Sequence, residues 1–149
     1  MTTIQTPGPP LTEDEMAALE RSLGLPVPAK FRMFLLRVNG GRPSPNTIDI
    51  VNYSGSPTDT QVVFGIGREI ETSNVEWNVR VLGSRLGASF LPVACDSGGN
   101  IFGLSLRNND FGMVYYFDLD AVYGEADAPP PEYLVANDFD DFLGRLREL

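Results

Sequence analysis

Residues 90–120 read FLPVACDSGGNIFGLSLRNNDFGMVYYFDLD, and the way apolar runs alternate with turns in this stretch decides the fold. FLPVAC is a nearly continuous apolar run, as in a strand covered on both faces. DSGGN supplies the Asp, Gly and Asn that a tight reversal needs for backbone reasons. NIFGLSL then sets Phe102, Leu104 and Leu106 on one face with period two. After a second turn, RNNDFG, the segment MVYYFDLD alternates Met113, Tyr115 and Phe117 with Val114, Tyr116 and Asp118. Successive strands joined by short turns pair antiparallel, so the spacing predicts a meander.

Working outward, the acidic, Pro-rich loop AVYGEADAPPPE at 121–132 leads to a short strand at 133–136. A last helix follows, with Asp138 as its N-cap and Phe139, Phe142, Leu143 and Leu146 facing inward. Upstream, LTEDEMAALERSLG at 11–24 is a helix with Thr12 and Glu15 at capping-box spacing and Leu11 and Met16 placed as a hydrophobic staple. Met16, Leu19 and Leu23 share its inner face, and Gly24 ends it. Pro28 suits the first turn of a second helix. Along it Phe31, Phe34, Leu35 and Val38 form an apolar stripe until Asn39-Gly40-Gly41 stops it. Residues 42–59 read as loop around an extended piece at 47–51, and TQVVFGI at 60–66 as a strand. Ser73 and Glu76 repeat the capping spacing before a third helix with Val75, Val79, Leu82 and Leu86 on one face. The whole predicts an α+β domain: a mainly antiparallel sheet with about four helices around it, spanning 11–149 behind a loose polar arm at 1–10.

Composition removes much of catalytic chemistry. The 149 residues include no His and a single Cys. There is thus no Ser/His/Asp or Cys/His nucleophile system, no histidine zinc site and no thiolate cluster. Gly65-Ile66-Gly67 lacks the third glycine of a dinucleotide loop and no P-loop Lys-Ser/Thr follows, so it reads as a glycine-rich strand end. DSGGN lacks the spaced acids of a calcium loop. Asp118 and Asp120, read on one side of an extended strand with Glu125 and Asp127 nearby, form a carboxylate set without an acid/base partner. Arg80 and Arg85 read as the solvated face of the third helix, and Cys95 as a small buried hydrophobe. No enzyme, metal or cofactor is expected. MTTIQTPGPP has neither the basic flank nor the apolar run of a secretory leader, and no stretch approaches the roughly 20 apolar residues of a membrane span. The expected compartment is the cytoplasm.

Charge is unevenly placed. Residues 1–109 carry ten acids and nine bases, whereas residues 110–149 carry ten acids and two bases. Such a face repels nucleic acid and anionic membranes and steers a basic partner towards itself. A merely solubilising surface would have the same excess.

The order of these segments resembles the SUKH superfamily, the Smi/Knr-like domains. LPVPAKFRMFLLRVNGG is similar to the family's Leu-Pro to Asn-Gly-Gly segment, and FLPVACDSGGNIFGLSL to its paired strands. MVYYFDLD resembles its Val-Tyr-Tyr strand, and YLVANDFDDFLGRL its closing helix. The chain departs where many members carry a Trp and a His, since Phe117 and Leu119 stand there, and contacts depending on that imidazole do not carry over. The resemblance implies an α+β fold and, for short bacterial members, an immunity protein that binds and neutralises a cognate polymorphic toxin, often a nuclease. The alternative is a non-catalytic regulatory or scaffolding module with an endogenous partner. On the first reading the partner is a basic protein, contacted through Asp118, Asp120, Glu125, Asp127 and Glu132 with Tyr123 as an aromatic anchor.

Overall fold

In the computed structural model, which describes residues 2–120 and 129–149, the meander is the body of the protein. In chain order the elements are strand β1 (Thr3–Gln5), helices α1 (Glu13–Leu23) and α2 (Ala29–Arg37), and strands β2 (Arg42–Ser44), β3 (Thr47–Ile48), β4 (Thr58–Asp59) and β5 (Val62–Val63). Helix α3 (Val75–Leu86), strands β6 (Phe90–Cys95), β7 (Ile101–Ser105), β8 (Val114–Phe117) and β9 (Glu132–Ala136), and helix α4 (Phe139–Gly144) complete the fold. The main sheet runs in the order β5-β6-β7-β8-β9 with every neighbouring pair antiparallel. Two small ribbons, β1-β2 and β3-β4, flank it. The expected α+β class is therefore the observed one.

Helices α1 and α2 follow the sequence signals closely. Thr12 Oγ1 accepts from the Glu15 N–H while Glu15 returns its carboxylate to the Thr12 N–H, both at 3.1 Å. Gly24 closes the helix in the left-handed region. Phe31 and Phe34 of α2 each place their rings 4.9 Å from Phe139 of α4. Phe142 of α4 lies 5.1 Å from Phe102 of β7, which lies 5.1 Å from Tyr116 of β8. One aromatic column thus joins α2, α4 and the sheet, and each such ring buries a large apolar area. Helix α3 packs instead on β6 and α1.

Four local expectations are corrected. The loose arm is tied down: β1 pairs with β2, and Thr2 Oγ1 donates to the Leu143 carbonyl at 2.8 Å. The extended piece at 47–51 contracts to β3, because residues 51 and 52 turn the chain towards β4. The strand at 60–66 contracts to β5: Phe64 still donates to the Val93 carbonyl of β6, but from Gly65 the backbone turns its bonds elsewhere, Gly65 donating to the Ser73 carbonyl. The Ser73/Glu76 capping box does not form. Asn74 is the N-cap of α3, and its side chain serves the preceding loop by accepting from the Arg68 N–H and donating to the carbonyls of Arg68, Ile70 and Glu71.

Asn39 is the joint between the helical and sheet halves. It is fully buried with φ 57°. Its Nδ2 donates to the carbonyls of Pro9 and Ile66, and its Oδ1 accepts from the Ile66 N–H. A Cβ on Gly65 would lie 2.5 Å from the Asn39 carbonyl, so the glycine at this strand end exists for close backbone approach, not for phosphate.

Candidate functional site

β8 ends at Phe117, and the next three residues leave the sheet. Asp118 and Asp120 therefore do not lie on one side of an extended strand. Asp118 Oδ1 accepts from the Asp120 N–H at 3.1 Å, a local Asx-type turn that the short Asp side chain favours over continuing the ladder. Asp118 is half-buried and also accepts from the Tyr53 hydroxyl at 3.4 Å, whereas Asp120 is exposed. Glu132 opens β9 directly opposite Phe117, so the register brings Glu132 to the same end of the sheet as this turn. Tyr123, Glu125 and Asp127 lie outside the described residues.

The acidity of this end is not bare. Arg85 of α3, read from sequence as part of a solvated face, turns inward and donates to the Leu119 carbonyl at 3.1 Å, because burial of α3 on β6 carries its stem under the turn. Arg107 lies between two carboxylates: its guanidinium bonds Asp110 and reaches Glu132 at 3.1 Å. It also covers the Phe90 and Tyr115 rings, 4.8 and 5.2 Å from their centres, an arrangement that favours the cation over the ring faces. Ser105 and Tyr115 add hydroxyl donors to Asp110. The Arg107 guanidinium, helped by these hydroxyls against burial, holds the Asp110 carboxyl well below the usual carboxylate range. A carboxylate depressed in the folded state stabilises the fold above its unfolded value of about 4 and loses that contribution as the pH falls further. Beneath this cluster Phe117 meets Phe90 at 4.8 Å, edge to face, and its ring lies over Gly103, where a Cβ would stand 3.1 Å from Phe117 Cε2. The Phe117 side chain is buried, 2% exposed.

A second network holds the other face. Asp96, in the turn between β6 and β7, is buried and accepts four hydrogen bonds: Gly98 N–H at 3.0 Å, Asn100 N–H at 2.8 Å, Thr58 hydroxyl at 2.9 Å and Tyr116 hydroxyl at 2.6 Å. Asn100 donates to the same Tyr116 oxygen and accepts from the Leu119 N–H at 2.9 Å, linking this turn to the acidic one. Burial, with Asp96 alongside, drives the Tyr116 hydroxyl far above its ordinary pKa, so it stays a donor. The DSGGN turn is thus a hairpin reversal, as read, but its Asp is also a long-range tie that no local pattern announces.

Burial pushes the neighbouring Cys95 thiol up to about 11. With the thiolate made about a hundredfold scarcer at pH 8 by that two-unit rise, iodoacetamide should modify Cys95 about a hundredfold more slowly in the native protein than in urea. Mass spectrometry of timed aliquots checks this, and equal rates in the two states would show the thiol is not held.

Among the described residues no three His, Cys, Asp or Glu side chains converge as metal ligands, and no helix is long and apolar enough to cross a membrane. What the sheet and its turns present instead is an acidic end buttressed from within by arginines, on an α+β domain. Residues 10–145 match the SMI1 / KNR4 family (SUKH-1). The chain belongs to that family. No curated protein matches the sequence.

Proposed function

We propose that this protein is a cytoplasmic immunity protein that binds one cognate polymorphic toxin stoichiometrically and silences it without catalysis of its own. The observation that carries the reading is membership of the SUKH-1 family, and the charge distribution supports it, since residues 110–149 hold ten acids and two bases. A nuclease toxin presents a basic, phosphate-binding face, which an acidic surface captures quickly and keeps closed. On this reading the exposed Asp120 supplies charge most directly, together with the half-buried Asp118 and with Glu125 and Asp127. Glu132 contributes less, being shared with Arg107, and Tyr123 is the aromatic anchor.

The test is capture of the product of an adjacent toxin-like gene on the immobilised protein, followed by a salt gradient and a toxicity assay. The expected result is a one-to-one complex that dissociates with salt and abolishes the toxic activity. Changing Asp118 and Asp120 to Asn should slow association at low salt about tenfold. A complex indifferent to salt and to both changes would remove the acidic turn from the interface. The second reading, a regulatory module with an endogenous partner, draws on an apolar hollow of about 200 Å³ between Pro28, Phe31, Leu104, Phe139 and the exposed ring of Phe111. Its mark would be salt-insensitive binding lost on Phe111→Ala.

A further inference from the structure

The bases of this chain are outnumbered, yet they do not all find acids. Lys30, Arg32, Arg80, Arg107, Arg145 and Arg147 pair with carboxylates. Among the described residues Arg42 and Arg68 pair with none, and both line one hollow of about 230 Å³ beside β5. The chain holds 20 acids against 11 bases, so two adjoining guanidiniums left uncompensated are an exception that needs a cause.

Arg68 is fixed before any ligand arrives. Its Nη1 donates to the Asn39 carbonyl at 2.8 Å and its Nη2 to the Thr6 carbonyl at 2.6 Å. Its own N–H and carbonyl are both held by the Asn74 side chain, at 2.7 and 3.1 Å. All these partners are neutral, so the position is set while the charge is left whole. A guanidinium carries five N–H donors, and two carbonyls do not exhaust them. Arg42, in β2, is exposed, and among the described residues its guanidinium makes no hydrogen bond. The Ser73 hydroxyl on the same wall is also unused among the described residues. Glu69, the one acid of the lining, is exposed and pairs with neither arginine. The rest of the wall is apolar, with Val62 half-buried and Ile70 62% exposed.

We propose that this hollow binds a small anion with an apolar body, a carboxylate or a phosphate monoester, its charged group on Arg42 and Arg68 and its apolar part against Val62 and Ile70. Either head group matches the donor fork of a guanidinium. The volume is below the roughly 300 to 1,000 Å³ of sites for drug-sized molecules, so the ligand is small. The acidic end of the protein does not forbid an anion here. The turn at 118–120 follows β8, three strand spacings from β5, about 14 Å at about 4.8 Å each. That exceeds the Debye length of about 8 Å at physiological salt, so the nearby guanidiniums set the field in the hollow. The site goes beyond the immunity reading and does not depend on it.

Titration of the ¹⁵N-labelled whole protein at constant ionic strength with sodium benzoate, phenyl phosphate and the neutral benzyl alcohol tests this. The expected result is saturable movement of the Gly41, Ile70 and Ser73 amides with at least one anion, at a Kd of about 1 mM or tighter. Benzyl alcohol should bind at least about tenfold more weakly, since it lacks the charge that the arginines recognise. The tighter of the two anions identifies the head group. Arg42→Ala should weaken binding about tenfold, the effect of losing one charge-assisted hydrogen bond. Ile70→Asp, which brings a carboxylate to the rim, should abolish it, while Arg37→Ala, outside this hollow, should change nothing. Positions 42 and 70 are both exposed, the same spectra report folding, and either variant gives a reading without the other. The proposal is overturned by the absence of saturation with both anions up to about 20 mM, about twentyfold above that constant. Equal binding of benzyl alcohol overturns it too. So does unchanged affinity in Arg42→Ala and Ile70→Asp, which would put the ligand elsewhere.

Discussion

Replacing Asp96 with alanine is expected to destabilise the protein by about 3 to 5 kcal/mol, because at least two buried donors lose their acceptor together. The carboxylate is 4% exposed and gathers the Tyr116 and Thr58 hydroxyls and the Gly98 and Asn100 N–H groups. Removing it leaves the Tyr116 hydroxyl and the Asn100 N–H without that acceptor in a site closed to solvent, and each abandoned buried donor costs about 1 to 3 kcal/mol. Tyr116→Phe, which leaves the other three bonds to Asp96 in place but also takes the acceptor of Asn100 Nδ2, should cost about 1 to 3 kcal/mol. Urea denaturation followed by the fluorescence of Trp77, the single tryptophan, measures both. A loss below about 1 kcal/mol for Asp96→Ala would mean that the turn stands on its backbone alone.

Asn39→Ala is expected to cost about 3 kcal/mol. Three side-chain hydrogen bonds disappear, leaving the Pro9 and Ile66 carbonyls and the Ile66 N–H without their partner. Alanine must also hold φ 57°, which an L-residue other than Asn or Asp resists by about 1 kcal/mol. Asn39→Gly separates the two effects, because it relieves the backbone but still loses the bonds, and it should fall between wild type and Asn39→Ala. The loss of the Pro9 contact also predicts that limited proteolysis cuts within residues 1–10 sooner in either variant. Equal stability of the alanine variant would show that Asn39 is a helix terminator and nothing more.

These two residues mark the boundary of what the chain discloses as text. The meander, the capped first helix and the closing helix are written in local patterns: period-two alternation around DSGGN, the Thr12 to Glu15 spacing, the Phe139 and Phe142 stripe. Each rests on partners within a few residues. Asp96 and Asn39 look from sequence like turn formers, which they are. Their further partners lie 38 residues away at Thr58 and 30 at Pro9, and no periodicity reports such distances. The arm reads as loose for the same reason, since its strand partner is 41 residues along at Ser44. At the acidic end, residue types were legible and their relations were not. Asp118 folds back on the Asp120 amide, and Glu132 is shared with an arginine 25 residues upstream, so carboxylates that count equally in composition differ in how freely their charge can act.

The ring of Phe117 lying over Gly103 has a consequence for how this sheet can vary. The two positions share one volume: a methyl group at 103 would stand 3.1 Å from the ring edge, which asks the ring to give by a few tenths of an ångström, and a larger side chain there must be answered by reduction on the neighbouring strand. Substitutions at 103 and 117 should therefore be tolerated in pairs and rejected singly. A library randomised at both sites together would recover folded chains whose residue sizes run in opposite directions.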